Sequence, residues 1–125
     1  EVQLQTIFDG YSLEVERAAV AAAKESAELT ARTLKNTSPV QRGKGGGKYK
    51  NGWKVKRLEK GTLISYVVYN GRRPELTHLL ENGHLARNQY GSWGRVRAIK
   101  HIAPAADAGI QRFDLSLRAR LRNIK

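Results

Sequence analysis

Three side chains able to bind a metal or move a proton fall close together in the sequence, His78, Glu81 and His84, and His101 is available further along to complete a fourth position. Two imidazoles and a carboxylate are zinc ligands in type. Their spacing argues against that use. Zinc helices place two histidines four apart on one face, as in His-Glu-x-x-His, whereas Gly83 ends the helix before His84 and releases that residue from the face. The competing expectation is histidine and glutamate hydrogen-bonded at a helix end or an interface, with no metal ligand assigned.

Other chemistries find little support. A magnesium-dependent nuclease wants clustered carboxylates, yet Glu75 and Glu81 are the only acids between Glu59 and Asp107. Without cysteine there is no thiolate nucleophile, disulfide framework or thiolate zinc site, and no serine lies in a nucleophile-elbow context. The run Gly43-Lys44-Gly45-Gly46-Gly47-Lys48 lacks both the spacing and the strand-to-helix setting of a phosphate-cradling loop. The enzymatic alternative is a small toxin-like ribonuclease, a class of basic α/β chains that work with Lys, Arg, Tyr and His. Its mechanism needs a general base beside a stabilising cation, and nothing in the spacing fixes that pair. The expectation is a protein that is not an enzyme and carries no cofactor.

Charge is the dominant compositional signal. Twenty-three Lys and Arg against eleven Asp and Glu leave +12 on 125 residues, a field that attracts polyanions or an acidic protein surface and makes identical copies repel unless screened. A basic nucleic-acid-binding module is therefore the second alternative. The cations concentrate between Val40 and Lys56, where Arg42, Lys44, Lys48, Lys50, Lys54 and Lys56 occur without one acid among five glycines. Segment 40–52 reads as a flexible, basic, glycine-rich loop, and the six cations as a candidate surface for DNA or an acidic partner. Tyr49 and Trp53, interleaved with the lysines, suit base stacking. Trp53 fits better as the inward-packed first residue of a strand.

The elements that would carry these residues can be read from pattern. Length predicts one domain over 1–125. From about Asp9 to Lys35 there is no proline and only one glycine near the start, and Ala, Glu, Lys and Leu dominate. That predicts one long helix of roughly 40 Å, capped by Asp9 or Ser12 and ended by Asn36-Thr37-Ser38-Pro39. Val15, Ala18, Ala22, Leu29 and Thr33 form one stripe on it, and Leu13, Val20, Ala27 and Leu34 another. Two stripes predict two packing partners. Strands are expected at Trp53 to Leu58 and Thr62 to Asn70, joined at Glu59-Lys60-Gly61, with the second apolar on both sides and hence central. Pro74 at a first helical position, Leu76, Leu79 and Leu80 on one face, and Gly83 past the last turn predict a short middle helix. His84 to Gly94 reads as a loop and Arg95 to Ile99 as a third strand. Pro104 at a first helical position opens a C-terminal amphipathic helix that docks through Ala106, Ile110, Phe113, Leu117, Leu121 and Ile124. The fold class is α+β, with a small antiparallel sheet of three to four strands and the helices on one face. No stretch is long and apolar enough to span a membrane and no secretory signal opens the chain, which predicts a soluble, cytoplasmically made protein.

Several of these stretches carry a resemblance. Ser38-Pro39-Val40-Gln41-Arg42-Gly43, Tyr66-Val67-Val68-Tyr69-Asn70, Leu79-Leu80-Glu81-Asn82-Gly83-His84 and His101-Ile102-Ala103-Pro104 follow one another after a long helix. In that order they resemble the head-tail joining family, also called tail-completion or neck proteins, of long-tailed bacteriophages and prophages. The likeness spans nearly the whole chain and departs from the family in an enlarged lysine-rich insertion after Gly43. It implies a structural virion protein that joins the DNA-filled head to the tail tube as an oligomeric, hexameric ring around the DNA channel. The implied partners are further copies of the chain, a head-completion or connector protein, a tail-terminator or tail-tube protein, and double-stranded DNA in the channel, without a membrane. The implied location is the virion neck, assembled in the host bacterial cytoplasm. Leu79, Leu80, Glu81, Asn82, Gly83, His84, His101 and Pro104 then serve as structural motif residues.

Overall fold

Residues 13–37 contain neither glycine nor proline, and in the computed structural model Leu13–Thr37 form a single helix, α1. The structure describes residues 2–7, 13–40, 47–61, 63–82, 84–88, 91–96 and 100–124. The proposed caps Asp9 and Ser12 lie outside them. At the other end the helix runs to Thr37, past the expected Lys35. There Thr37 Oγ1 donates to the Thr33 carbonyl and Ser38 Oγ to the Leu34 carbonyl, and Pro39, which has no N–H to offer the Lys35 carbonyl, ends the helix.

Three antiparallel strands, β1 (Val2–Ile7), β2 (Trp53–Lys60) and β3 (Leu63–Asn70), form a sheet in the order β1-β3-β2. Lys60 pairs with Leu63 across a tight connection, and Gly61 turns the chain there at φ +60, a conformation that costs glycine little. β3 is central, as its two apolar sides predict, and Tyr66, Val67 and Val68 are all buried. The strand at residues 2–7 was not among the expected elements.

After β3, Pro74 lies in a turn two residues before helix α2 (Leu76–Asn82), not at its first position. The turn uses the carbonyls of Arg73 and Pro74, which accept the N–H groups of Leu76 and Thr77. The expected loop from His84 to Gly94 is instead a hairpin of β4 (His84–Asn88) and β5 (Gly91–Val96), a separate two-stranded sheet. The third strand expected at Arg95 to Ile99 therefore begins earlier and, among the described residues, pairs with β4 alone, and 97–99 lie outside the described residues. Helix α3 (Ile102–Arg122) closes the chain.

α1 lies between the sheet and α3, which buries Ala18 and Ala22 of one stripe and Ala27 and Leu34 of the other and leaves Leu13 exposed. Ala23, Ala27, Ala31 and Leu34 join Trp53, Tyr66 and Val68 in the main core. Ala22, Ser26 and Thr30, rotated toward the other side, meet α3 through residues small enough for close approach. Gly109 sits against them, where a Cβ would strike Thr30 Oγ1. Glu25 fastens the same pair of helices, accepting from Arg112 Nε at 2.8 Å, Ser116 Oγ at 2.7 Å and Arg120 at 3.2 Å.

This packing overturns the docking face expected for α3. Its buried positions are Ala105, Gly109 and Ser116, so the helix is rotated toward its small residues. Phe113 and Ala106 still pack on the core, but Ile110 is 56% exposed and Leu121 38%. Close approach through small side chains won over burial of the largest ones.

Candidate functional site

α3 starts without a capping side chain of its own. The residue before it is His101, which makes no side-chain cap bond, and the first N–H groups of a helix have no partner within it. The carboxylate of Glu81, near the end of α2, takes their place. Oε1 accepts the N–H groups of His101 at 2.8 Å and Ile102 at 2.9 Å, and Oε2 accepts that of Ala103 at 3.0 Å. The next residue is Pro104, the third of the helix and not the first as expected. It has no N–H to satisfy, so one carboxylate and one proline account for the opening turn.

His101 continues the network inward. Its Nδ1 lies 3.1 Å from Glu81 Oε1 and its Nε2 is 2.7 Å from the Tyr49 hydroxyl. A ring protonated on Nδ1 donates to the carboxylate and accepts from the phenol, which satisfies both contacts. Tyr49 packs edge-on against Trp53 at 5.5 Å between ring centres, and Trp53 Nε1 donates to Ser38 Oγ at 2.8 Å. Asn70 adds a further joint. Its Nδ2 donates to the Tyr49 carbonyl at 2.7 Å, and its Oδ1 accepts from the N–H groups of Arg72 and Arg73. Asn70 is 4% exposed, so a polar side chain is buried with its hydrogen bonds made.

Glu, His and Tyr in series have the form of a proton relay, but the surroundings fit structure better than chemistry. His101 is 2% exposed and Tyr49 5%. Burial, and then the nearby negative charge of Glu81, push Tyr49 up to about 12, which keeps it a hydrogen-bond donor. For Glu81 burial acts upward, but the N–H groups of His101, Ile102 and Ala103, with His101 itself, outweigh it and hold the carboxyl below its ordinary value. Both of its oxygens are occupied by these contacts. The cluster joins the end of α1, the segment before β2, the end of β3, α2 and the start of α3 at one point.

The sequence-predicted residues separate into those this joint uses and those it does not. Leu80 packs against the core and Glu81, His101 and Pro104 form the joint. Leu79 and Asn82 lie in α2 and His84 opens β4, but their side chains, like that of His78, lie outside the described residues, as does Gly83. Among the described residues no three His, Asp or Glu side chains are placed to hold a metal ion. Tyr49, Asn70 and Ser38 carry bonds that sequence reasoning did not assign. The usable signal was a helix start at His101 with no Ser, Thr, Asp or Asn to cap it, which requires an acceptor from elsewhere.

The basic segment is only partly a loop. Arg42 and Lys44 lie outside the described residues. From Gly47 the chain makes a turn and a short 3-10 helix (Lys50–Gly52), with Tyr49 buried. Lys48 is exposed and Lys50 half-buried, while Lys54 and Lys56 project from β2, with Lys56 Nζ 5.0 Å from the Tyr69 ring centre. Tyr49 and Trp53 face the interior, which removes both as base-stacking platforms. No helix among the described residues is long and apolar enough to cross a membrane.

Residues 3–83 match the family described as "Bacteriophage HK97-gp10, putative tail-component". The matched stretch runs from β1 through α2. No curated protein and no solved structure matches the chain.

Proposed function

Because the chain belongs to the HK97-gp10-like family of bacteriophage tail components, we propose that it is a non-enzymatic neck protein that joins the DNA-filled head to the finished tail. In this reading copies of the chain form a closed, hexameric ring between the head connector and the tail tube, with the DNA channel through its centre. The observation that carries the proposal is the family match over residues 3–83. The order of the motifs on either side of Gly83 supports its placement at the neck.

The physical requirements of such a ring are a rigid wedge and sides that meet without a gap. Rigidity has a clear source in the Glu81–His101–Tyr49 joint and the Glu25 clamp, which tie the three helices and the sheet together. Ile110 and Leu121 on the outer side of α3, with half-buried Leu117 between them, supply an apolar row for a neighbouring copy. Of the basic segment, Lys48, Lys50, Lys54 and Lys56 face outward to differing degrees, with Arg42 and Lys44 before them in sequence. We favour an acidic protein partner for these cations over DNA, since a tight phosphate grip would oppose sliding through the channel.

Locating the chain in purified particles tests the placement. Gold-labelled antibody against it should mark the junction of head and tail once per particle. Label distributed along the tail tube, or absent from particles, would contradict it.

A further inference from the structure

β2 ends the sheet order, and the pairing shows which of its backbone groups are free. Gly71 N–H donates to the Gly52 carbonyl at 2.9 Å. The two residues are directly opposed in the register that pairs Trp53 with Asn70 and Lys54 with Tyr69. Hydrogen-bonded and non-bonded pairs alternate along an antiparallel ladder. Lys54, Lys56, Leu58 and Lys60 therefore exchange bonds with β3, and the N–H and C=O groups of Trp53, Val55, Arg57 and Glu59 point outward. Among the described residues none is paired with them. The strand has eight residues with no proline, glycine or bulge, the form that accepts another strand.

The surroundings of this edge say what kind of strand. Two hollows lie between the sheet and α1, one beside β2 and the other reaching from Arg57 of β2 to Ile64 and Tyr66 of β3. One, of about 600 Å³, is bordered by Arg32 and Lys35 around Ala31 and Val55, with Lys54 at its rim from the other face of the sheet. The other, of about 380 Å³, is bordered by Arg17, Lys24 and Arg57 around Leu13, Val20 and Ile64. Glu28 and Glu16 are the acids at these hollows, so cations outnumber acids at both. On the opposite face of the sheet Lys54, Lys56 and Lys60 alternate with exposed Leu58 along the same strand.

We propose that the free edge of β2 receives an acidic, extended segment of a different protein as an antiparallel fourth strand. Its apolar residues, on the same sheet face as Val55, enter the hollows under α1. Its acidic residues, on the other face, meet Lys54, Lys56 and Lys60. A second copy of this chain is the wrong occupant, because edge-to-edge pairing would set β2 lysines against β2 lysines in a chain that carries +12. Duplex DNA meets the same cations but offers no run of alternating donors and acceptors at strand spacing. The inference does not depend on the neck reading.

The test is fluorescence anisotropy with the full chain and a labelled eight-residue peptide of alternating valine and glutamate, at about 150 mM salt. In the proposed pairing the peptide's valine N–H groups face β2 and its glutamate N–H groups face away. N-methylation of the valines should weaken binding at least about tenfold, and N-methylation of the glutamates should change it less than about threefold. Val55→Pro removes one outward donor without touching the β2–β3 ladder, and should weaken binding of the unmodified peptide while circular dichroism stays unchanged. Equal binding of all three peptides would reduce the effect to charge attraction and overturn the proposal. So would tighter binding of a short DNA duplex than of the unmodified peptide.

Discussion

The Glu81 carboxylate lies 2.8 Å from the backbone nitrogen of His101, twenty residues further along the chain, so the last turn of α2 caps the first turn of α3. The hairpin of β4 and β5 occupies the sequence between them. Glu81 thus fixes the start of α3, while the Gly109 contact and the Glu25 clamp hold its later turns against α1.

Replacing Glu81 should therefore cost more than removing an ordinary cap. Glu81→Ala leaves the partly buried N–H groups of His101 and Ile102, the exposed one of Ala103 and the buried His101 ring without their acceptor, and should destabilise the protein by about 2–4 kcal/mol. Glu81→Gln keeps one carbonyl acceptor and should cost about half as much. Urea denaturation followed by tryptophan fluorescence reads both, because Trp53 is part of the same cluster.

Tyr49→Phe removes only the hydroxyl that satisfies His101 Nε2. The ring packing against Trp53 remains, so the expected loss is about 1–3 kcal/mol from one buried unsatisfied nitrogen. Equal stability of wild type and variant in urea would show that this hydrogen bond is not made in solution.

Stability should fall on the acid side for a stated reason. Hydrogen bonds from Ser116, Arg112 and Arg120 lower Glu25 from 4.5 to about 2, and Glu81 is also held below its ordinary value. The unfolded chain takes up protons before the folded one at both groups. The stabilisation is then complete above about pH 4.5 and is lost as the pH falls toward 2. The urea midpoint should hold from neutral pH down to that point and drop below it. Glu25→Gln should lower the midpoint at neutral pH and flatten the acid decline.

Gly109→Ala tests the close approach of α1 and α3. Alanine is the better helix former by about 1 kcal/mol, but its Cβ meets Thr30 Oγ1, and overpacking of this kind costs about 1–3 kcal/mol. The single variant should be less stable than wild type. Adding Thr30→Ala removes the clashing oxygen, so thermal unfolding should show the double variant more stable than the sum of the singles predicts.

The long helix and the β2–β3 hairpin were legible because their signals are local: a run without Gly or Pro, a central strand apolar on both sides, and Gly61 where a positive φ is needed. The inward packing of Trp53 followed from the same pattern. β1 was missed although Val2-Gln3-Leu4-Gln5 alternates as a half-buried strand should. The β4–β5 hairpin has no apolar alternation to announce it. The joint was out of reach for a different reason. Glu81 and His101 were visible as candidates, but which carboxylate caps which helix depends on how α2 and α3 are brought together, and Tyr49 sat in a stretch whose lysines suggested an outward-facing loop. The α3 docking face was misread because the largest apolar residues were weighed above Ala105, Gly109 and Ser116, which allow the closer contact.

The most direct test of the proposed neck role is electron microscopy of lysates from the parent phage with this gene deleted, before and after the purified protein is added. Filled heads beside full-length unattached tails, joined into infectious particles on addition, are the expected result. Intact infectious particles without the gene would contradict it.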